Sequence, residues 1–559
     1  MKRGSPVKNW PCLLVLFILL SFIWSRAEGD DSEEKDIYQK MSGILLSYEP
    51  GICYTSLHEY FRKMSTAKPL RLGYECRIKP LARISRGVER ERQISKILVV
   101  ANANLYADLK AREKIDRYVR DIHRGYSCEV ILVTVDGGEP EDLKELIKEY
   151  YDSGLDGAVF VGSLPAAWYE VPNDHYWWEG GRGYANWTCD LFFMDLDGQW
   201  DDTDSNGIYD LHTEGSGDVE PEVFVGRIDT STMSYYGSEV DLLCSYLDKN
   251  HSYWCGDIVL NRYGLAYIDY DWRNEHTNYF SYLFGPGNYD SLKWQSENNL
   301  VTKHDYSDNR LLNPLYEFIQ VWTHATYLYH DFHTGGSLYH YEVHAKNPRA
   351  LGYNIDGCHA CDWAAGGWER FLGGSYVYND SPSSLVVIGS TKVGGMLGFD
   401  AFYESLGKNR CLGEAFSDWF KDRLNSGQEK GYIIGWHYGM TIIGDPLIAF
   451  LEVPGLDSSA SVVYPPLNFF GRREENRALF LKEYINVLTW EANPQNTENQ
   501  VSSYHIYEIS NIDRVFLAEV GGQVSEYMHR GVEKKEYLYG ITAVDAEGQE
   551  SYTVYTKVR

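Results

Sequence analysis

Positive charge is scarce in this sequence. Against 80 Asp and Glu stand 52 Lys and Arg, a formal charge of −28 on 559 residues. Such a surface repels phosphate backbones and argues against a nucleic-acid partner. Divalent cations and basic substrates suit it better. Long apolar runs are also scarce. The run Leu13–Trp24 follows the basic residues Lys2, Arg3 and Lys8 and precedes the small residues Ser25 and Ala27. It is short for a membrane span and reads as a secretory signal, residues 1–27. No second such run follows, so no transmembrane segment is expected in the mature chain, and no Cys stands at the cleavage point to take a lipid. The expected product is soluble and exported, secreted to the extracellular space or the periplasm. Internal repeats are absent as well. General disorder is excluded by 44% hydrophobic and 24% charged residues.

Aromatic residues are plentiful, with 45 Tyr and 16 Trp. Large aromatic cores account for them; composition does not establish sugar binding. Of 10 Cys, Cys12 leaves with the signal. The remaining odd number in an exported chain predicts disulfides plus at least one free thiol.

The length exceeds one hydrophobic core, so two or three domains are expected. Residues 28–96, acidic at the start and highly charged at the end, form an N-terminal lead-in or a propeptide. From Ile97 the pattern sharpens: apolar runs at Ile97–Ala101, Cys128–Val135 and Leu155–Val161 alternate with amphipathic stretches at 107–124 and 139–151. That is a parallel sheet covered by helices. A polar, acidic insertion at 165–221 follows, then a strand at 222–226 and a helix through Leu247. Further strands are predicted at 257–260, 318–323, 351–355 and 385–388. The α/β region thus spans 97–453. Over 465–559 the period changes to two, at 485–490, 503–509, 515–520 and 536–545. The run Tyr537–Ser551 resembles the last strands of a fibronectin type III domain, with Trp490 and Tyr507 placed in its core.

Chemistry in an α/β sheet collects just beyond strand C-termini. His324 follows Phe318–Thr323, and Cys358 follows Leu351–Gly357. On adjacent parallel strands the two side chains would emerge together. A thiolate attacks a carbonyl, an imidazole moves the proton to a leaving amine, and nearby backbone N–H groups hold the oxyanion. A competing reading takes Cys358-His-Ala-Cys361 as a C-x-x-C: a small disulfide, a redox pair or half a metal site. His324, His330, His333, His340, His344 and His359 crowd the same stretch, and Cys361 is the fallback nucleophile.

Taken in order, Ala158–Gly162, Glu222–Arg227, His324, Cys358 with Asp362 and Trp363, Cys411–Phe416 and Gly444-Asp-Pro446 resemble the gingipain-like cysteine peptidases, relatives of caspases and legumains. The resemblance covers residues 97–452. It implies a caspase/gingipain-like α/β fold: a parallel sheet flanked by helices, followed by an all-β immunoglobulin-like sandwich. It further implies catalysis by His324 and Cys358, an oxyanion held by the N–H groups of Ala325 and Cys358, and a protein or peptide substrate. In the arginine-specific relatives an acid in the segment of Asp218 lines the S1 pocket; a surface acid is the alternative. Two departures stand out. Ala325 replaces the usual Gly after the His, and Asp356-Gly357 replaces a more apolar pair. They favour the rival reading, a peptidase fold without turnover that binds a cell surface or matrix through the C-terminal domain.

Asp202-Thr-Asp-Ser-Asn-Gly-Ile-Tyr-Asp210 sets oxygen ligands at alternate positions with Gly at the sixth, like an EF-hand loop. Asp202, Asp204, Asn206, the Ile208 carbonyl and Asp210 are the expected ligands of a structural calcium ion. No organic cofactor is expected. Asn186-Trp-Thr188 and Asn250-His-Ser252 are glycosylation sequons.

Overall fold

The computed structural model describes residues 69–79, 94–177, 181–365, 369–455, 463–478, 481–497, 499–509, 514–546, 548, 550, 551 and 553–559. The signal reading, most of the lead-in, Cys12 and Cys53 lie outside the described residues.

Eleven strands form the main sheet: β1 (Arg71–Ile78), β2 (Lys96–Asn102), β3 (Glu129–Asp136), β4 (Gly157–Val161), β5 (Phe224–Ile228), β6 (Gly264–Ile268), β7 (Tyr289–Lys293), β8 (Phe318–Trp322), β9 (Gly352–Asp356), β10 (Val386–Ser390) and β11 (Met440–Gly444). Their spatial order is β1-β3-β2-β4-β5-β11-β10-β9-β8-β6-β7. The central strands are short apolar runs buried on both faces, as covered parallel strands require. The sheet is not parallel throughout. β3, β2, β4 and β5 are mutually parallel, as are β10, β9, β8, β6 and β7, and β11 lies between the two sets, antiparallel to β10 and meeting β5 at the single pair Arg227–Ile443. The strand expected at 257–260 is loop; β6 begins at Gly264. Part of the lead-in belongs to the sheet, since β1 pairs antiparallel with β3.

Helices α1 (Leu109–Tyr126), α2 (Pro140–Tyr151), α3 (Glu239–Trp254) and α4 (Leu412–Leu424) help cover the sheet. Asp108 caps α1 by accepting from the Lys110 and Ala111 N–H groups, Pro140 opens α2, and Ser238 caps α3. Several sequence blocks serve the frame. Buried Asp445 accepts from Tyr118 on α1 and Asn250 on α3, at 2.7 and 2.8 Å. Arg227 makes a buried bidentate pair with Asp190, which also accepts from Thr441. The Asn250 amide is committed on both sides, to Asp445 and Trp254, and Asn186 is buried too. Neither sequon therefore offers an exposed acceptor.

Residues 467–558 build two antiparallel sheets: β12 (Leu467–Ala478), β13 (Leu481–Glu491) and β16 (Glu526–Val532) in one, and β15 (Arg514–Gly521), β14 (Ser503–Ile509), β17 (Tyr537–Val544) and β18 (Val554–Val558) in the other. Trp490, Tyr504, Ile506, Tyr539 and Ile541 fill the core. Tyr504, not Tyr507, faces inward there. Tyr507 packs against Phe516 and donates to Glu550 at 2.8 Å. The β-domain meets the α/β part where Tyr555 donates to Asp116 and the Arg112 guanidinium sits 4.9 Å from the Tyr555 ring centre.

The eight described cysteines are free thiols. The expected disulfides are therefore absent among the described residues, and Cys358 is not bonded to Cys361. No helix among the described residues is long and apolar enough to cross a membrane.

Candidate active site

β8 and β9 are hydrogen-bonded neighbours with Trp322 opposite Asp356. His324 and Cys358 each stand two residues past that pair, at the same sheet edge. The two exits touch. The Thr323 N–H donates to Asp356 O at 3.4 Å, and a Cβ on Gly357 would lie 2.8 Å from both Ala325 Cβ and Thr323 O. Glycine at 357 is thus what lets the loops approach, which accounts for half of the Asp356-Gly357 departure.

A third group joins them. The Asp271 Oδ2 lies 2.7 Å from His324 Nε2. Asp271 sits in the short turn Tyr270–Trp272 beyond β6, the strand next to β8. Burial works to raise the Asp271 carboxyl, but its hydrogen bond to His324 and the charges of His324, His333 and Arg273 outweigh this and hold it below the usual range. The Trp272 ring packs against the imidazole, 5.0 Å between centres. Such an arrangement fixes the orientation of the ring.

Cys358 is half-buried in a turn clamped to the end of β10, with His359 N–H donating to Lys392 O and Cys361 N–H to Ser390 O. His359 takes a left-handed φ of 56° to make that turn. Two cations lie within electrostatic reach of the thiol. Burial pushes Arg182 and Lys392 towards neutrality, while Cys358 and Asp174 act to keep them charged. Lys392 is itself buried, with Nζ 2.7 Å from Asp174. Cys361 differs: it is fully buried, its sulfur lies against Gly373 and Gly389, and burial pushes its thiol up. It is no accessible nucleophile.

The Thr326 N–H donates to Tyr329 O at 2.9 Å in the hairpin that carries His324. By the alternation of an antiparallel pair, the Ala325 N–H points away from that hairpin. Ala325 does not have positive φ, so nothing at this position calls for glycine. Among the described residues the Cys358 N–H donates to no backbone carbonyl.

A cleft of about 270 Å³ opens beside the pair, walled by Trp272, Tyr279, Trp322 and Phe399 and carrying the carboxyls of Glu275, Asp356 and Asp400. Asp356 is 4% exposed, and its Oδ2 has no hydrogen-bond partner among the described residues. Burial lifts its pKa well above the carboxylate range, and the charge of Glu275 adds to this. The buried Tyr279 hydroxyl and Trp322 Nε1 also lack partners there. Buried polar groups left open around a cavity fit a polar ligand.

Asp218 is not among these groups. It is exposed in a turn, where its N–H donates to Asp197 and its carboxylate accepts from the Glu220 N–H. The expected calcium ligands lie in one tight loop. Asp202 accepts from the Asn206 and Gly207 N–H groups, Asp204 from Asn206, Asn206 from Ile208, and Asp210 from Thr203. Their oxygens are thus turned onto backbone donors, and the Ile208 side chain is buried. The acids that converge closely among the described residues are Asp195, Asp197 and Glu222. The crowded histidines separate: His330 hydrogen-bonds Tyr376, His340 Tyr236, His344 the Tyr378 carbonyl and His359 Asp362.

No family model matches the chain, and no curated protein matches it. Among solved structures, one described as "Structure of Protease" is similar at 11% identity, over 84% of this chain and 97% of that one, with a TM-score of 0.44. An Fn3-like protein from Clostridium thermocellum is similar at 19% identity over 18% of this chain and 94% of its own, with a TM-score of 0.14. The central fibronectin-III array of RIM-binding protein is similar at 21% identity over 16% of this chain and 31% of its own, with a TM-score of 0.12. Likenesses at these scores establish neither a family nor an activity for the chain.

Proposed function

We propose that the chain is an exported cysteine endopeptidase of the gingipain-like type, ending in a fibronectin type III-like domain. The observation that carries this reading is the joint exit of His324 and Cys358 from neighbouring strands, with Asp271 on the imidazole. The Cys358 thiol gives its proton to His324, its sulfur attacks the scissile carbonyl carbon and the C=O electrons move to oxygen. The Ala325 and Cys358 N–H groups hold that oxyanion. As the carbonyl re-forms, the C–N bond breaks, His324 gives its proton to the departing amine, and a thioester remains. His324 then takes a proton from water. The resulting attack releases the carboxylic acid and returns the sulfur its leaving-group electrons.

The cleft supports a preference for a basic side chain at P1. A cation with an extended apolar stem meets aromatic walls and then carboxyls, Asp356 in place of the expected Asp218. Calcium is proposed on the acidic insertion, with Asp202, Asp204, Asn206, the Ile208 carbonyl and Asp210 as the oxygen donors that would hold it and stiffen the loop.

The rival is a non-catalytic binding protein. Cleavage of an arginyl-peptide library by the wild type, lost in Cys358→Ala, is the expected result. A wild type that cleaves nothing once any propeptide is removed would favour the binding role.

A further inference from the structure

Two helices lie side by side in the same direction, α1 and α3. Arg117 reaches Leu247 and Asp248, Asp121 reaches His251, and Arg124 reaches the Trp254 carbonyl. Their C-terminal ends therefore converge beside Ala449 and Phe450, whose ring packs on Phe318 at the start of β8, so they lie away from the His324–Cys358 site and on helices that take no part in it. Converging helix C-termini favour positive charge, and the sequence supplies Arg120, Arg124 and His251 there.

Cys255 stands at the end of α3, half-buried. Its sulfur lies 3.4 Å from His251 Nε2 and 3.9 Å from Nδ1, against the ring rather than in line with one N–H, and 3.8 Å from Arg124 Nη2. The other ring nitrogen of His251, Nδ1, is 2.6 Å from Asp121 Oδ2. Asp121 is nearly buried, with 6% of its side chain exposed, and Arg124 reaches its second oxygen at 3.3 Å.

Hydrogen-bond inventory decides what this arrangement favours. A guanidinium donates and never accepts, and an imidazole held on a carboxylate through Nδ1–H accepts at Nε2 only until it is protonated. Burial alone would lower the His251 pKa, but its bonds to Asp121 and Cys255 and the Asp121 charge raise it to about 9. Arg117 opposes that rise, and Asp248 offsets Arg117. Near neutral pH the sulfur thus lies beside two positively charged groups, the imidazolium ring and the guanidinium.

We propose that Cys255, His251, Asp121 and Arg124 form a second reactive-thiol centre, a site of oxidation by hydroperoxides that is separate from the peptidase site. The sulfur attacks one peroxide oxygen, an S–O bond forms and the O–O bond breaks. The sulfur is oxidised to a sulfenic acid, the peroxide is reduced, and the departing oxygen takes the proton of His251 to leave as water or an alcohol.

The test uses the full chain carrying Cys358→Ala, so that it does not depend on proteolysis. Iodoacetamide labelling is followed peptide by peptide between pH 6 and 8. Cys244, half-buried on the same helix, is the internal reference; burial pushes its thiol up. Cys255 is expected to label about 10-fold faster than Cys244 at pH 7, with a rate that changes little down to pH 6. Hydrogen peroxide followed by dimedone should mark Cys255 and spare Cys244. His251→Gln and Asp121→Asn should each erase the lead while the Cys244 rate stays the same. Equal rates for the two thiols in the parent chain, or a Cys255 rate that climbs with pH as an ordinary thiol does, would overturn the proposal even if neither variant folds.

Discussion

Asp271 turns a pair of groups into a chain of three. Its carboxylate, 2.7 Å from His324, fixes the ring and, in the proposed reaction, would stabilise the imidazole while it carries the proton meant for the leaving amine. Asp271→Asn keeps the shape and removes the charge. It is expected to lower kcat by about 10- to 100-fold with KM changed far less, checked by steady-state kinetics on an arginyl peptide. An unchanged kcat would reduce Asp271 to packing. Asp356 makes a different prediction. Burial raises its pKa and so favours the neutral carboxyl, whereas an entering guanidinium favours the carboxylate. Binding then releases a proton, and KM for arginyl peptides should fall as pH rises towards the raised pKa. KM for the neutral citrullyl analogue should stay flat, and Asp356→Asn should abolish the difference. His324 and Cys358 were legible in the sequence because each follows an unmistakable apolar run. Asp271 was not, because the strand before it was sought at 257–260 while β6 begins at Gly264. Asp356 could be seen only as an oddity, since its role depends on a cleft assembled from residues 272 to 400.

Elements set how tightly these groups are held. The β8 and β9 exits meet through Gly357, where an added methyl would press on Ala325 and Thr323 O. Gly357→Ala is expected to cost about 1–3 kcal/mol in denaturant unfolding and to reduce turnover more than Asp271→Asn, because it parts the loops themselves. The acidic insertion makes its own prediction. If calcium is held by Asp202, Asp204, Asn206, Ile208 and Asp210, EDTA should speed proteolysis within 165–221, and added calcium should restore protection. Unchanged cleavage would dismiss the ion. Central strands and the long helices were readable because burial on both faces, or a 3.6 period, leaves a strong pattern. β1 and β7 were not. They are the edge strands, covered less completely and built from Arg71–Ile78 and Tyr289–Lys293 with no continuous apolar run. Edges carry polar residues for good reason.

At the level of the entire chain, two parallel sets of strands are joined through β11, which pairs antiparallel with β10 and meets β5 at the single pair Ile443–Arg227. The connection between β10 and β11 spans 391–439 and is long enough for either direction, so the sequence pattern left it open. The consequence matters for the site. The first part of the insertion, past β4, lies beside the end of β10, where Thr391 donates to the Thr188 carbonyl, which brings Asp174 and Arg182 to Lys392 and Cys358. The β-domain docks elsewhere, through Tyr555 on Asp116 and Arg112. In the proposed reaction one sulfur, that of Cys358, bonds covalently to the carbonyl end of a peptide with a basic last residue. Exposure of the intact chain to an arginyl peptide chloromethyl ketone, with peptide mapping by mass spectrometry, tests it directly. The expected result is one equivalent of adduct on Cys358, complete loss of peptide cleavage, and no adduct in His324→Ala on the same timescale. Undiminished cleavage by a protein whose Cys358 is fully blocked, or an adduct that forms equally on denatured chain, would contradict it.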